Sequence, residues 1–170
     1  MWPRQRDGVT CGPSVAVMAG ALLDREYGSR LFGGRPGAAQ QWFDSEQVRV
    51  HRAVNRVWPR ALGTTPAGMA RALTEHSARR GVRYRWRPAR PGDSLADVLD
   101  AIAAGWPVAM LVGSVLPRHW VLLTELDGVM LRCYEPSSGG LVHVPVDDIR
   151  AGRLSGLGFP RPFAFVLAQV

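Results

Sequence analysis

Two cysteines, four histidines and a set of acidic residues are the groups in this 170-residue chain from which nucleophilic or acid–base chemistry could be built. The more telling cysteine is Cys11, in Gly8-Val9-Thr10-Cys11-Gly12-Pro13. This stretch reads as a loop running into a helix, with Pro13 in the first turn, where its missing N–H costs nothing. A sulfur at a helix mouth faces unpaired N–H groups and the positive end of the helix dipole, which favour a negative charge there. A lone cysteine is more often a small buried apolar residue, so the case rests on its company. Gln5 lies six residues upstream on the loop that leads to Cys11. A neutral amide there could point at an oxygen that becomes negative during acyl transfer, with the Cys11 N–H as second donor. Taken singly, Gln5 reads more readily as a surface glutamine.

His119 opens the apolar run His119-Trp120-Val121-Leu122-Leu123. An imidazole at the edge of a core is partly shielded from water, which is where a general base is wanted. The alternative is a satisfied strand histidine. His51 and His76 fall in helical segments, and His143 alternates with Val142 and Val144 as an outward strand residue. Glu135 ends the segment Cys133-Tyr134-Glu135, ahead of Pro136-Ser137-Ser138-Gly139. A hairpin through Asp127-Gly128 would bring the end of that strand beside the start of the His119 strand. A carboxylate there can accept from the second imidazole nitrogen and fix its orientation. The plain alternative is a strand-end acid before a turn, and Asp127 is the next candidate for the role. Cys133 shares the Glu135 face of its strand but sits at no helix end, and reads as packing.

The elements that must position these groups follow from periodicity and punctuation. An apolar helix runs from Ser14 to about Asp24 and stops near Gly28; its Ala16, Ala19, Gly20 and Ala21 predict close packing against another element. Residues 29–43 are Gly-rich and read as irregular. Asp44-Ser45 caps a helix reaching roughly Trp58, Thr65-Pro66 opens another that stops at Gly81, and Asp93-Ser94 caps a fourth that ends at Gly105. Between the last two, 82–87 alternates arginine with Val82, Tyr84 and Trp86 as a half-buried strand does. Strands are then expected over 106–115, 119–126, 129–135, 141–146 and 163–170, with a turn at Leu116-Pro117-Arg118. Helices first and antiparallel strands later is an α+β order. Nothing resembles a linker, so the expectation is one domain over 1–170, with a helical lobe over about 1–105 and a sheet lobe over about 106–170.

Composition narrows the function. Apolar residues make up 46% and charged residues 21%, as in an ordinary globule, and no apolar run is long enough for a membrane span. The first residues lack a signal peptide's apolar core, which makes the cytoplasm the default address. Export by a signal-less route, or excision from a longer chain, stays open. All 21 basic residues are arginine and the net charge is +7, a pattern that fits a GC-rich genome. The arginines are spread along the chain, which argues for solvated faces over a nucleic-acid site. The two cysteines match no zinc spacing, so neither metal nor cofactor is expected.

Gln5 to Pro13, Gly105-Trp106-Pro107-Val108, His119-Trp120-Val121 and Tyr134-Glu135-Pro136 with Gly139, in that order, resemble the papain-like cysteine peptidases. More narrowly they are similar to the double-glycine leader peptidases, the bacteriocin-processing group. The resemblance implies a helical lobe carrying Cys11, a sheet lobe carrying His119 and Glu135, a cleft between them, and Gln5 lining an oxyanion hole. It implies a bacterial thiol hydrolase that takes a peptide or protein substrate. The third position is usually Asp or Asn in that group, and is Glu135 here. Two other readings keep the fold: transfer of the acyl group to an amine, as in transglutaminase-like or toxin-type enzymes, and a binding module with a dead site.

Overall fold

The computed structural model describes residues 2–8, 10–54 and 64–169. Helix α1 (Cys11–Leu23) is the centre of the helical layer, and every residue of it except Leu22 is buried. A helix that is apolar all round must be enclosed on all sides. Its neighbours are α2 (Arg25–Phe32), α3 (Pro36–Val54), α4 (Pro66–Ser77) and the sheet strand that carries His119. The small residues are used as expected. A Cβ on Gly20 would stand 2.7 Å from His76 Cδ2 on α4, and one on Gly28 of α2 would stand 2.1 Å from the Ala21 carbonyl of α1.

The break after α1 falls earlier than Gly28. Asp24 ends α1 and caps α2, its carboxylate accepting from the N–H groups of Glu26 and Tyr27. Residues 29–43 are not irregular: only the Gly33-Gly34 break separates α2 from α3, with a proline opening the second helix. Asp44-Ser45 therefore lies inside α3 and caps nothing. Ser45 Oγ bonds back to the Gln41 carbonyl, and Asp44 accepts from Gln40 and Gln47. The expected end of that helix at Trp58 lies outside the described residues. Thr65 does cap α4, accepting from the Gly68 N–H at 3.1 Å.

Six strands form one antiparallel sheet in the order β1-β6-β2-β3-β4-β5: β1 (Arg83–Pro88), β2 (Val108–Gly113), β3 (Pro117–Asp127), β4 (Met130–Glu135), β5 (Gly140–Pro145) and β6 (Arg161–Gln169). β1 pairs with β6, which itself pairs with β2. Trp86 departs from the alternation, being 48% exposed, whereas Tyr84 is buried with its hydroxyl on the Pro107 carbonyl. Helix α5 (Ala96–Ala103) packs on β3 and β6. Its start is tied to β1 by Arg87, which bonds both Asp93 and Asp97 at 2.6 Å. A short helix α6 (Val146–Ala151) follows β5 and was not expected, although Asp147 and Asp148 in its first turn and Gly152 after its end mark it. Among the described residues no helix is long and apolar enough to cross a membrane.

The turn expected at 116–118 is shifted: β3 already begins at Pro117, and residues 114–116 make the tip. The Asp127-Gly128 hairpin forms as read, with Asp127 facing Met130 and Gly128 at φ +59°. It sets β4 antiparallel to β3, so Glu135 ends up near the start of β3.

Candidate active site

Cys11 is the first residue of α1 and is 6% exposed. The residue before it, Thr10, spends its side chain on the preceding loop, bonding the Asp7 backbone, and does not cap the helix. The opening N–H groups of α1 are consequently not taken by that side chain. His119 comes from β3, against which α1 packs, and is 7% exposed among apolar neighbours. Its Nε2 lies 2.8 Å from Glu135 Oε1. With that nitrogen engaged, Nδ1 is the one left to face Cys11, which lies near enough to act on the charge of the ring. Burial pulls the imidazole's pKa down, but contact with Cys11 and Glu135, with the charges of both, pushes it up to about 9.

Glu135 is held as firmly as it holds. Burial alone would raise its pKa. The bond from His119 and those from the N–H groups of Ser137 and Ser138, at 2.9 and 2.8 Å, keep its carboxyl well below the usual carboxylate range. The glutamate side chain thus reaches both His119 and the turn that follows it. That turn is itself specified: Gly139 adopts φ +66°, and a Cβ on it would stand 2.5 Å from the Trp2 carbonyl oxygen. Asp127, the other acid considered, is at the far end of β3.

The close approach at Gly139 belongs to a broader docking of residues 2–6 over the end of β4. Tyr134 Oη donates to the Pro3 carbonyl at 2.7 Å, and the Gln5 N–H donates to the Pro136 carbonyl at 2.7 Å. On the other side the same segment is gripped by α3. Gln40 exchanges two bonds with the Arg4 backbone, and Gln47 accepts from the Arg6 N–H at 3.0 Å. Gln47 is fully buried in the stripe with Phe43 and Val50, and its Oε1 also lies 2.9 Å from Ser14 Oγ of α1. Gln5 is therefore fixed through its backbone beside the Glu135 turn. Its side-chain Oε1 is buried without a hydrogen-bond partner among the described residues.

Sequence reasoning missed Phe159, whose ring stacks on that of His119 at 5.5 Å between centroids and 28° between planes. It reaches the site from the loop before β6, and no local pattern marks it. Gln40, Gln47 and Thr64 were missed for the same reason, and Tyr134, part of the motif ending in Pro136, was given no role of its own. Cys133 is where packing would put it, fully buried and with its thiol pKa raised by burial. His143 is exposed on β5. Among the described residues no three His, Cys, Asp or Glu side chains gather as a metal site would need.

The overall fold is shared with solved structures. A double glycine motif protease from an AMS/PCAT transporter, in complex with its leader peptide, covers 99% of this chain and 89% of its own at 13% identity, with a TM-score of 0.52. The peptidase domain of Streptococcus ComA, a bi-functional ABC transporter of a quorum-sensing pathway, superposes at 0.56 over 98% of this chain and 95% of its own, at 12% identity. A putative C39-like peptidase from Bacillus anthracis gives 0.56 over 100% and 94%, also at 12% identity. This is the double-glycine, papain-like peptidase fold. At such identities the likeness is one of architecture. No protein-family model matches the chain, and no curated protein matches it.

Proposed function

We propose that the protein is a cysteine peptidase that cleaves a peptide bond through a thioester, with Cys11 as nucleophile, His119 as base and Glu135 as the residue that orients the base. The observation that carries this reading is the buried His119 ring, held at 2.8 Å by an anchored carboxylate, on the strand against which the helix that opens with Cys11 packs. The imidazole takes the Cys11 proton, and the resulting ion pair is favoured by Glu135 and by the helix dipole. The thiolate attacks the carbonyl carbon. The oxyanion is received by the Cys11 N–H and the Gln5 side-chain amide. As the tetrahedral species collapses, the imidazolium gives its proton to the departing amine. Water, deprotonated by His119, then cleaves the thioester and frees the acid and the thiol.

The solved relatives in fold suggest the first substrate to try: a peptide carrying Gly-Gly ahead of the scissile bond. Mass spectrometry of such a peptide after incubation should show cleavage by the parent and none by Cys11→Ala. Brief treatment with iodoacetamide near pH 6, followed by peptide mapping, should mark Cys11 well ahead of the buried Cys133. Equal marking of the two, or preference for Cys133, would sink the site assignment. Products carrying an added amine in place of water would move the reading to acyl transfer.

A further inference from the structure

Cys11 and His119 stand on different layers of the fold, and their mutual placement depends on how the mouth of α1 is held against β3. The residue following each of them meets at one point. Gly12 follows Cys11, Trp120 follows His119, and Thr64 lies between. Trp120 Nε1 donates to the Thr64 carbonyl at 2.9 Å, with Trp120 2% and Thr64 5% exposed. A Cβ on Gly12 would stand 2.3 Å from Thr64 Oγ1, 2.5 Å from Thr64 Cβ and 3.3 Å from Trp120 Cδ1. The helix mouth therefore has no room for any side chain after the cysteine. The Thr64 hydroxyl has no hydrogen-bond partner among the described residues. What Thr64 contributes is its bulk and its carbonyl oxygen.

We propose that Gly12, Thr64 and Trp120 form a clasp that sets the separation of the Cys11 thiol and the His119 imidazole, Thr64 and Trp120 acting as positioning residues. The inference rests on the reading of Cys11 and His119 as a working pair. A hydrogen bond between thiol and imidazole tolerates only a few tenths of an ångström of drift. A packed helix moves as a rigid body, so a shift at Gly12 is passed directly to Cys11. The indole N–H is buried, so leaving it or its carbonyl unpaired is costly, and the bond resists loosening.

The test is the pH profile of Cys11 alkylation by iodoacetamide in the parent, in Trp120→Phe and in Gly12→Ala, with thermal melts alongside. Near pH 9.5 a thiolate forms without help from an imidazolium, whereas near pH 6 it depends on the pair. Trp120→Phe keeps most of the packing and loses the N–H. Gly12→Ala keeps every hydrogen-bonding group and pushes Thr64 away. Each should lower the rate near pH 6 about fivefold or more while leaving the rate near pH 9.5 within about twofold. A loss of stability alone would lower the melting temperature without changing the ratio of the two rates. Should one variant not fold, the other decides. A parent that lacks the low-pH limb, or keeps it in His119→Ala, overturns the pair and the clasp with it. A parent limb that depends on His119 but persists in the folded clasp variants overturns the clasp alone.

Discussion

Replacing Glu135 by glutamine removes one negative charge at nearly constant volume, and the structure gives its size. The imidazole of His119 is held at about 9 against an ordinary 6.5, although burial pulls it the other way. The net difference corresponds to about 3 kcal/mol in favour of the charged ring. Cys11 and Glu135 both contribute to it. If the carboxylate supplies about half, its loss should lower the ring's pKa by about one unit. The amide oxygen can still accept from Ser137 or Ser138, so the turn should survive, although one of those N–H groups then faces an NH2. The expected result is a basic limb of the pH–turnover profile that moves from about 9 towards 8, seen also in an NMR titration of the His119 ring proton, with turnover down by a few powers of ten at most. Glu135→Asp should keep more activity than Glu135→Ala. A basic limb that stays near 9 in a folded Glu135→Gln protein would refute the assignment of Glu135 as the partner of His119.

Because the folded pKa of His119 lies above its unfolded value, the stability it contributes is complete below pH 6.5 and is lost as the pH rises to about 9; melting temperatures should fall across that window, less so in His119→Gln. Gln5→Ala should leave alkylation of Cys11 nearly unchanged, since that displacement develops no carbonyl oxyanion, while peptide turnover falls about 10²–10³-fold. Gly139→Ala combines a left-handed backbone with a methyl driven into the Trp2 carbonyl, and should destabilise the fold by about 2 kcal/mol or more in denaturant melts.

The elements that carry Cys11, His119 and Glu135 were legible because their signals are local. A proline two residues after Cys11 marks a helix mouth, Asp127-Gly128 marks a hairpin, and the hairpin's length alone puts Glu135 beside His119. Helix α2 and the first half of α3 were hidden by glycines that read as a loop but serve as a break between two helices, whereas the stretch from Asp44 on was read as helical. The supports of the site were not legible. Gln47 joins α1 to residue 6, Phe159 covers a ring forty residues away in sequence, and Thr64 takes a bond from Trp120. Each depends on which surfaces the fold brings together, and a glutamine or phenylalanine carries no mark of that in its neighbours. The partner of β1 was hidden for the same reason, since its register is set with a strand almost eighty residues on.

That strand, β6, comes last in chain order yet lies between β1 and β2. During synthesis, β1 and β2 emerge with no neighbour to pair with on their facing edges, and the apolar run Val108–Gly113 stays open on one side until β6 arrives. Phe159, which leads into β6, reaches His119 only at that stage. A growing chain can thus carry Cys11, His119 and Glu135 for some time before the imidazole is shielded.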